Sequence, residues 1–266
     1  MNNVQSSANT LIVEKMSKSY GSGADEHRVL EDLSLRVEPG EFVTIVGPSG
    51  AGKTTLLRCL SGLVAPTSGV VRYGEVPVSG PLAEIAVVFQ DYRASLMPWM
   101  TVRDNVAFPL QGRKIAKRAR NDAADEALDS VNLPGVGDKY PWQLSGGMQQ
   151  RVAIARGLAY SAPVLLMDEP FGSVDAQARF ELEDLALDLR SRLGISVVVV
   201  THDIDEAVYL GDRVVVLGGR PARVIDTIEV DLGRDRDQIA TRAKPRFAEL
   251  RTQVMTEIRE TSISSR

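Results

Sequence analysis

The sequence has little of several features that mark whole classes of protein. One cysteine, Cys59, occurs in 266 residues, so no disulfide can form within the chain. Together with that cysteine, the two histidines, His27 and His202, are too few for a Cys/His metal centre. The most apolar runs, such as SVVVVT from residue 196, are far shorter than the ~20 residues that span a bilayer. The net charge of −4 shows no basic excess, so nucleic acid is not an expected partner.

The composition is that of a globular protein, with 44% hydrophobic and 25% charged residues. A chain of this length is sufficient for one large α/β domain, or for a core domain with a smaller lobe. The opening stretch MNNVQSSANT has no charged region followed by an apolar segment, so no signal peptide is predicted. Any role at a membrane is therefore expected to depend on a partner.

The pattern of apolar residues divides the chain into regions of strands and helices. Residues 11–46 partly alternate and are rich in β-branched side chains, which is typical of strands. From about 91 to 158 the pattern becomes helical, and strands return at VLLMDEP and SVVVVTHD. The helical region is therefore predicted to be an insertion in an α/β domain.

The last part of the chain has apolar residues at helical spacing. Phe247, Leu250, Val254 and Ile258 follow one another at intervals of three, four and four residues. Pro245 suits the first turn of a helix, where its missing N–H is not needed. This pattern predicts a short amphipathic helix that packs on the body of the protein or on a partner.

A glycine-rich segment, GPSGAGKT, satisfies the pattern G-x-x-x-x-G-K-[ST] between the strand FVTIV and the helix TTLLRCLSGL. Its glycines allow consecutive backbone N–H groups to point into one concavity, and the helix N-terminus adds partial positive charge. Lys53 is expected to reach the β- and γ-phosphates of a nucleoside triphosphate, and the Thr54 hydroxyl to ligate Mg²⁺. The predicted phosphate-binding residues are Gly47, Pro48, Ser49, Gly50, Ala51, Gly52, Lys53, Thr54 and Thr55.

Other polar residues follow apolar strands, at the end where open α/β sheets bind their ligands. After VLLM, Asp168 is expected to face Mg²⁺ and Glu169 to polarise the water that attacks the γ-phosphate. After SVVVVT, His202 is expected to contact the γ-phosphate or that water. Gln90 ends the strand IAVVFQ, and an exposed polar loop residue is the alternative interpretation. His27, in the polar stretch GSGADEHR, is predicted to lie in an exposed loop.

A second glycine pair occurs in LSGGMQQ at 144–150, and no lysine follows it. Ser145 resembles a helix N-cap, and Gly146 with Gly147 would let the backbone approach an anion closely. Taken alone, the motif favours a helix start that binds no ligand.

The order of these motifs resembles the nucleotide-binding subunit of ATP-binding cassette (ABC) transporters. The phosphate loop, FQ at 89, LSGGMQQRVAIARG at 144, VLLMDEP at 164 and THD at 201 carry a resemblance that covers about residues 11–225. Its most specific part is LSGGMQQRVAIARGLAYSAPVLLMDEPFGSVDAQ. The resemblance implies an α/β fold, a P-loop NTPase of ABC type with a RecA-like core, an antiparallel β subdomain and a helical subdomain. The expected divisions are an ATP-binding domain at 11–228, its helical subdomain at about 91–158, and a C-terminal tail with the amphipathic helix at 229–266.

The resemblance also implies how two glycine loops serve one reaction. In this family two subunits hold two ATP molecules, with Mg²⁺, head to tail between them. The LSGGQ-type loop of one subunit contacts the γ-phosphate held by the phosphate loop of the other. Ser145, Gly146 and Gly147 would therefore act on the ATP of a second copy. Met148 stands where glutamine is usual, which removes no phosphate ligand, so only tuning is expected.

Three residues take their roles from the resemblance. Tyr20 would stack on adenine, although a packed aromatic is the alternative. Gln90 would contact Mg²⁺ and the attacking water, and it would couple both to a transmembrane partner. Asp175 would be the acid of the loop that spans the dimer after the catalytic glutamate.

The more variable segments indicate which transporters the chain resembles. MPWMTVRDNVAFPL and GGRPARVIDTIEVDLGRDRD are similar to segments of importers of nitrate, sulfonates, taurine and similar small solutes. The implied partners are a second copy of the chain, transmembrane permease subunits and, indirectly, a solute-binding protein, with no nucleic acid. The implied location is the cytoplasmic face of the inner membrane, held there peripherally.

Two other functions use the same phosphate loop. A non-transport ABC ATPase of DNA repair or translation would usually show long coiled-coil insertions, two cassettes in one chain or a basic surface, and the sequence shows none. A P-loop small-molecule kinase would leave LSGGMQQ, Gln90 and His202 without roles. The ATPase subunit of an importer is therefore the leading hypothesis.

Overall fold

Two β-sheets form the frame of the computed structural model, which describes residues 9–113 and 115–264. The segment MNNVQSSA, for which no signal peptide is predicted, and the last two residues of the predicted tail lie outside the described residues. The first sheet is antiparallel, with the strand order β2-β1-β4-β5. Its strands are β1 (Leu11–Tyr20), β2 (His27–Val37), β4 (Ser68–Tyr73) and β5 (Val76–Pro77).

The second sheet has six strands in the order β10-β9-β3-β8-β7-β6. The five strands from β9 to β6 are parallel, and β10 pairs with β9 in the antiparallel sense. The strands are β3 (Phe42–Val46), β6 (Ile85–Val88), β7 (Val164–Asp168), β8 (Ser196–Val200), β9 (Arg213–Gly218) and β10 (Arg223–Glu229). Because these strands are parallel, the loops after β3, β6, β7 and β8 all leave the same edge of the sheet.

Eight helices are present in the described residues, and four of them follow one another between β6 and β7. The helices are α1 (Lys53–Leu60), α2 (Tyr92–Ser95), α3 (Val102–Ala107), α4 (Lys117–Ser130), α5 (Gly146–Leu158), α6 (Ala176–Leu193), α7 (Ile204–Leu210) and α8 (Pro245–Ser264). Short 3-10 segments occupy Gly23–Asp25, Phe108–Gly112 and Pro141–Gln143. The antiparallel sheet, the mostly parallel sheet and the helical insertion confirm the predicted fold class.

The six-stranded sheet is buried on both faces, which explains why its strands are nearly continuous apolar runs. Every residue of β3, β7 and β8 is buried. Along β3, Phe42 and Val46 pack into one core cluster with the inserted helices and α6 to α8, while Val43 and Ile45 pack into another with α1 and the antiparallel sheet. The sheet therefore separates two cores, and α1 meets it from the side opposite to the inserted helices.

The C-terminal segment wraps around α7. Phe247, Leu250 and Val254 of α8 are buried against the core, and Ile258 is partly buried beside them. Before that helix, the guanidinium of Arg236 donates to the carbonyl oxygens at the end of α7, those of Val208 (3.0 Å), Tyr209 (2.5 Å) and Gly211 (3.0 Å). Arginine thus satisfies carbonyls that a helix end leaves unpaired.

One local prediction is wrong. His27 is exposed as expected, but it is the first residue of strand β2, because β1 and β2 pair along almost their full length up to the pair Tyr20–His27. Tertiary pairing therefore overrides the polar local sequence. Among residues 9–113 and 115–264, no helix has both the length and the apolar character needed to cross a membrane.

Candidate active site

The phosphate loop connects β3 to α1 and has the backbone that its glycines allow. Gly50 and Gly52 have φ values of 80° and 74°, in the left-handed region that disfavours other residues. A Cβ atom on Gly52 would lie 2.7 Å from a methyl group of Leu30, so close packing excludes a side chain there. Lys53 turns back over the loop and its Nζ donates to the carbonyl oxygens of Gly47 (2.8 Å) and Pro48 (3.2 Å).

The charges at this site are only partly solvated. Burial lowers the pKa of Lys53, and the nearby carboxylates of Glu169 and Asp168 oppose that shift. Burial likewise raises the pKa of Asp168, while the hydrogen bond from Thr54 acts in the opposite direction. A cation and two carboxylates are therefore held in a weakly screened site, where a bound anion or metal ion interacts strongly.

Thr54 and Asp168 come from different elements and meet at the sheet edge. The Thr54 hydroxyl on α1 lies 3.3 Å from Oδ1 of Asp168, the last residue of β7. Among the described residues, no group of three or more His, Cys, Asp and Glu side chains is arranged to hold a metal ion. A hydroxyl and one carboxylate fit Mg²⁺, which is usually held by one or two protein oxygens together with phosphates and water.

Three predicted catalytic side chains meet at one carboxylate oxygen. Oε2 of Glu169 accepts a hydrogen bond from Nε2 of Gln90 (2.9 Å) and lies 3.2 Å from Nδ1 of His202. The three residues follow β7, β6 and β8, the neighbouring parallel strands whose ends share this edge. The His202 side chain is 62% exposed, so this face of the cluster is open to solvent and to a ligand.

The backbone of Glu169 is unusual. Its φ of 44° places a non-glycine residue in the left-handed region, and its N–H donates to the carbonyl oxygen of Val200 (2.8 Å), one strand away. Such conformations persist where the surrounding structure imposes them, and they concentrate at functional sites. The turn directs the carboxylate out of the sheet edge toward Gln90 and His202.

The remaining residues predicted to bind the nucleotide lie further away. The Tyr20 ring is 40% exposed at the end of β1, with Nζ of Lys18 5.0 Å from its centroid. Thr55 lies on α1 beside Thr54. Asp175 is the N-cap of α6, where its Oδ1 accepts a hydrogen bond from the Ala178 N–H (2.9 Å).

The second glycine pair begins helix α5 in the helical insertion. Ser145 is its N-cap, accepting a hydrogen bond from the Met148 N–H (3.4 Å). A Cβ atom on Gly146 would lie 2.9 Å from the Tyr92 hydroxyl, and one on Gly147 would lie 3.1 Å from Cβ of Ala178. Within the described residues, the hydrogen bonds of Ser145 stay in its own helix and none reaches the phosphate loop. The two glycine loops of one chain are therefore not joined by a hydrogen bond of Ser145 in the described part of the chain.

A polar network behind His202 was not anticipated from the sequence. The Thr201 hydroxyl donates to Oε2 of Glu206 (2.7 Å), and Asp203 accepts from the Asp205 N–H (2.9 Å) and the Glu206 N–H (3.2 Å). Arg179 of α6 donates to Asp203 (3.3 Å) and lies 3.7 Å from Glu206. Burial raises the pKa of Glu206 to about 7. Asp203-x-x-Glu206 has the spacing of a capping box, an N-cap residue with glutamate three positions later. This pattern could have located the start of α7 from the sequence.

Comparison with known proteins gives one consistent family. The family model described as ABC transporter matches residues 30–172. The taurine import ATP-binding protein of Chromobacterium violaceum is 43% identical over 252 residues, which cover 93% of this chain and 95% of that protein. The nitrate import ATP-binding protein of a Synechocystis strain is 46% identical over 208 residues, which cover 78% of this chain and 77% of that protein.

Among solved structures, the fold is similar to that of an ATP-binding cassette. That structure is described as a dimeric, post-hydrolysis state bound to ADP and Pi. Its TM-score is 0.73 at 33% sequence identity, covering 83% of this chain and 98% of that chain.

Proposed function

This chain belongs to the ABC transporter family, and we propose that it is the ATP-hydrolysing subunit that dimerises on ATP and drives a membrane importer. The observation that carries the mechanism is the meeting of Gln90, Glu169 and His202 at one carboxylate oxygen. Among the described residues, no hydrogen bond joins Ser145 to the phosphate loop of the same chain. One copy therefore holds the nucleotide and its water, and a second copy completes the site.

Nucleotide binding uses the phosphate loop and the end of β1. The backbone N–H groups of the loop, from Ser49 to Thr54, cradle the phosphates. Lys53 exchanges its two carbonyl partners for phosphate oxygens. Tyr20 presents an exposed ring on which adenine stacks. Thr54 and Asp168 would hold Mg²⁺, and the ion would supply positive charge to the phosphates.

Hydrolysis requires a base for the attacking water and groups that orient that water. Glu169 accepts hydrogen bonds at Oε2 and is held by its turn at the sheet edge, so it polarises the water that faces the γ-phosphate. Gln90 and His202 bracket the same oxygen and fix the direction of the carboxylate. Gln90 follows β6 directly before the helical insertion, so it also connects this water to any movement of α2 to α5.

The second copy supplies the other wall of each site. The N-terminus of α5, a 13-residue helix that begins with Gly146 and Gly147, faces the γ-phosphate held by the partner. The Ser145 hydroxyl faces the same phosphate. No lysine is needed there, because Lys53 of the copy that binds the nucleotide already supplies the positive charge. Asp175, at the start of α6, lies in the loop that we assign to the contact between copies.

The class of transported solute is inferred from what the similar proteins import, because the nucleotide site carries no information about it. We infer an importer of taurine, another sulfonate, nitrate or a similar small solute, with permease subunits and a solute-binding protein as its other components. The subunit then works at the cytoplasmic face of the inner membrane. The segment from Arg93 to Trp99, which carries an exposed tryptophan, is our candidate for the contact with the permease.

Two substitutions test the division of labour between copies. Glu169→Gln is expected to bind ATP, form a stable ATP-dependent dimer and lose nearly all hydrolysis, as measured by light scattering and phosphate release. Ser145→Arg is expected to keep ATP binding by the monomer and to lose both dimerisation and hydrolysis, whereas Ser191→Arg, at an exposed site near the end of α6, is the matched control. Unchanged turnover in Glu169→Gln would exclude this glutamate as the base. Loss of monomer binding in Ser145→Arg would exclude a role in trans.

A further inference from the structure

An exposed aromatic pair stands directly before the second glycine loop. The rings of Tyr140 and Trp142 are stacked, with centroids 6.0 Å apart and planes at 15°. Trp142 is 69% exposed and Tyr140 is 37% exposed. Single exposed aromatic side chains are common on protein surfaces. A stacked pair is different, because it offers one flat platform with an open outer face.

The pair belongs to the same rigid unit as Ser145. Residues Pro141–Gln143 form a 3-10 turn that Gln143 closes, since its Oε1 accepts a hydrogen bond from the Tyr140 N–H (2.8 Å). From α5, Nε2 of Gln149 donates to the carbonyl oxygens of Pro141 (3.0 Å) and Leu144 (3.1 Å). The side chain of one helical residue thus fastens the aromatic turn to the helix that Ser145 begins. Wherever the N-terminus of α5 docks, the platform docks with it.

The platform and the serine are close enough to contact one ligand. Ser145 is the third residue after Trp142, so their Cα atoms are at most about 11 Å apart even in an extended chain. Ser145 and the glycine pair offer a hydroxyl and N–H groups, which suit phosphate. The aromatic rings offer a π-face, which suits a nucleobase. Together they match the two chemically different ends of a nucleoside triphosphate.

We propose that Trp142, supported by Tyr140, stacks on the adenine of the ATP held by the second copy. This inference rests on the head-to-tail dimer proposed above and extends the same interface from the phosphates to the base. Tyr20 of the copy that binds the nucleotide covers one face of the adenine, and Trp142 of the other copy covers the opposite face. The base then contributes to dimer formation as well as to nucleotide binding, and Gln149 is the positioning residue for the platform.

The first test measures ATP-dependent dimerisation in the Glu169→Gln background. Trp142→Ala is expected to raise the ATP concentration at half-dimerisation about tenfold, as expected for loss of one base–aromatic stack. Trp142→Phe is expected to recover most of this loss. Phe108→Ala, which removes another exposed aromatic ring of the helical insertion, is the matched control. ATP binding by a monomer that carries Ser145→Arg should not change when Trp142→Ala is added.

The second test asks what lies against the platform. With 8-azido-ATP, photo-crosslinking of the Glu169→Gln dimer is expected to label a peptide that contains residues 140–142, and Ser145→Arg is expected to abolish this label. A dimer that forms normally with Trp142→Ala overturns the inference and leaves the proposed function intact. Weaker dimerisation without a crosslink to the turn also overturns it, since Trp142 would then contact protein. Failure of the Glu169→Gln parent to dimerise on ATP overturns the proposed function itself.

Discussion

Glu206 is a buried carboxyl four residues after His202, the proposed catalytic histidine, and its replacement by glutamine has a predictable effect on stability. Its side chain is almost fully buried, accepts the Thr201 hydroxyl at 2.7 Å and has Arg179 3.7 Å away. Burial raises its pKa from 4.5 to about 7, with Asp203 and Glu183 adding to the shift and Arg179 opposing it. The folded protein therefore holds the neutral acid below about pH 7, where the unfolded chain already ionises this group.

The sign and size of the effect follow from proton linkage. Between pH 4.5 and 7 the unfolded chain releases this proton while the folded chain keeps it, so the free energy of unfolding falls as the pH rises. The full pKa shift corresponds to about 3 kcal/mol of folding stability, which is present at low pH and lost as the pH rises. About 1 kcal/mol of it is already lost at pH 5. Glu206→Gln carries no titrating proton and can still accept the Thr201 hydroxyl. The difference in free energy of unfolding, variant minus wild type, should therefore increase by about 2 kcal/mol from pH 5 to pH 8.

Urea unfolding of the nucleotide-free protein at pH 5 and pH 8, followed by tryptophan fluorescence, measures this difference. Glu181→Gln, which replaces a half-exposed carboxylate on the same face of the protein as Arg151, is the control for a glutamate-to-glutamine change outside the core. A gain for Glu206→Gln that is equal at the two pH values would refute the reasoning, because it would show that Glu206 is ionised in the folded protein at both. Subtracting the control removes the contribution of carboxyls that all the proteins share.

Three further predictions concern binding and coupling. Tyr20→Ala should weaken ATP binding by the monomer about tenfold in calorimetry, and Tyr20→Phe should not, because stacking on the base needs only the ring; equal losses would exclude stacking. Lys53→Ala should weaken ATP binding by about tenfold to a hundredfold in the same assay, the loss expected for a charged hydrogen-bond donor; unchanged affinity would show that the lysine stays on its carbonyl partners. Trp99→Asp should raise the ratio of ATP hydrolysed to solute imported in proteoliposomes, and an unchanged ratio would move the permease contact away from this segment.

Features encoded by local sequence were predictable. The strands β3, β7 and β8 are apolar runs because both of their faces are covered, and the phosphate loop carries Gly50 and Gly52 where the backbone has positive φ. The positions of Asp168 as the last residue of β7 and of Glu169 directly after it follow from the same pattern.

Features that depend on strand order were not predictable from local patterns. Gln90, Glu169 and His202 are far apart in the sequence, and they meet only because β6, β7 and β8 are adjacent and parallel. The Arg236 contacts with the end of α7 likewise join segments that local periodicity treats separately. His27 shows the reverse case, where pairing with β1 makes a strand of a polar stretch.

The left-handed backbone of Glu169 has an evolutionary consequence. A φ of 44° costs an L-amino acid about 1–2 kcal/mol, and glycine adopts it without that penalty. Selection for folding alone would therefore favour glycine, asparagine or aspartate at this position, and the proposed role of Glu169 as the base is what would keep glutamate there. In a duplicated copy that had lost its catalytic duty, this is a position where mutational drift should first replace the glutamate, with a gain in stability.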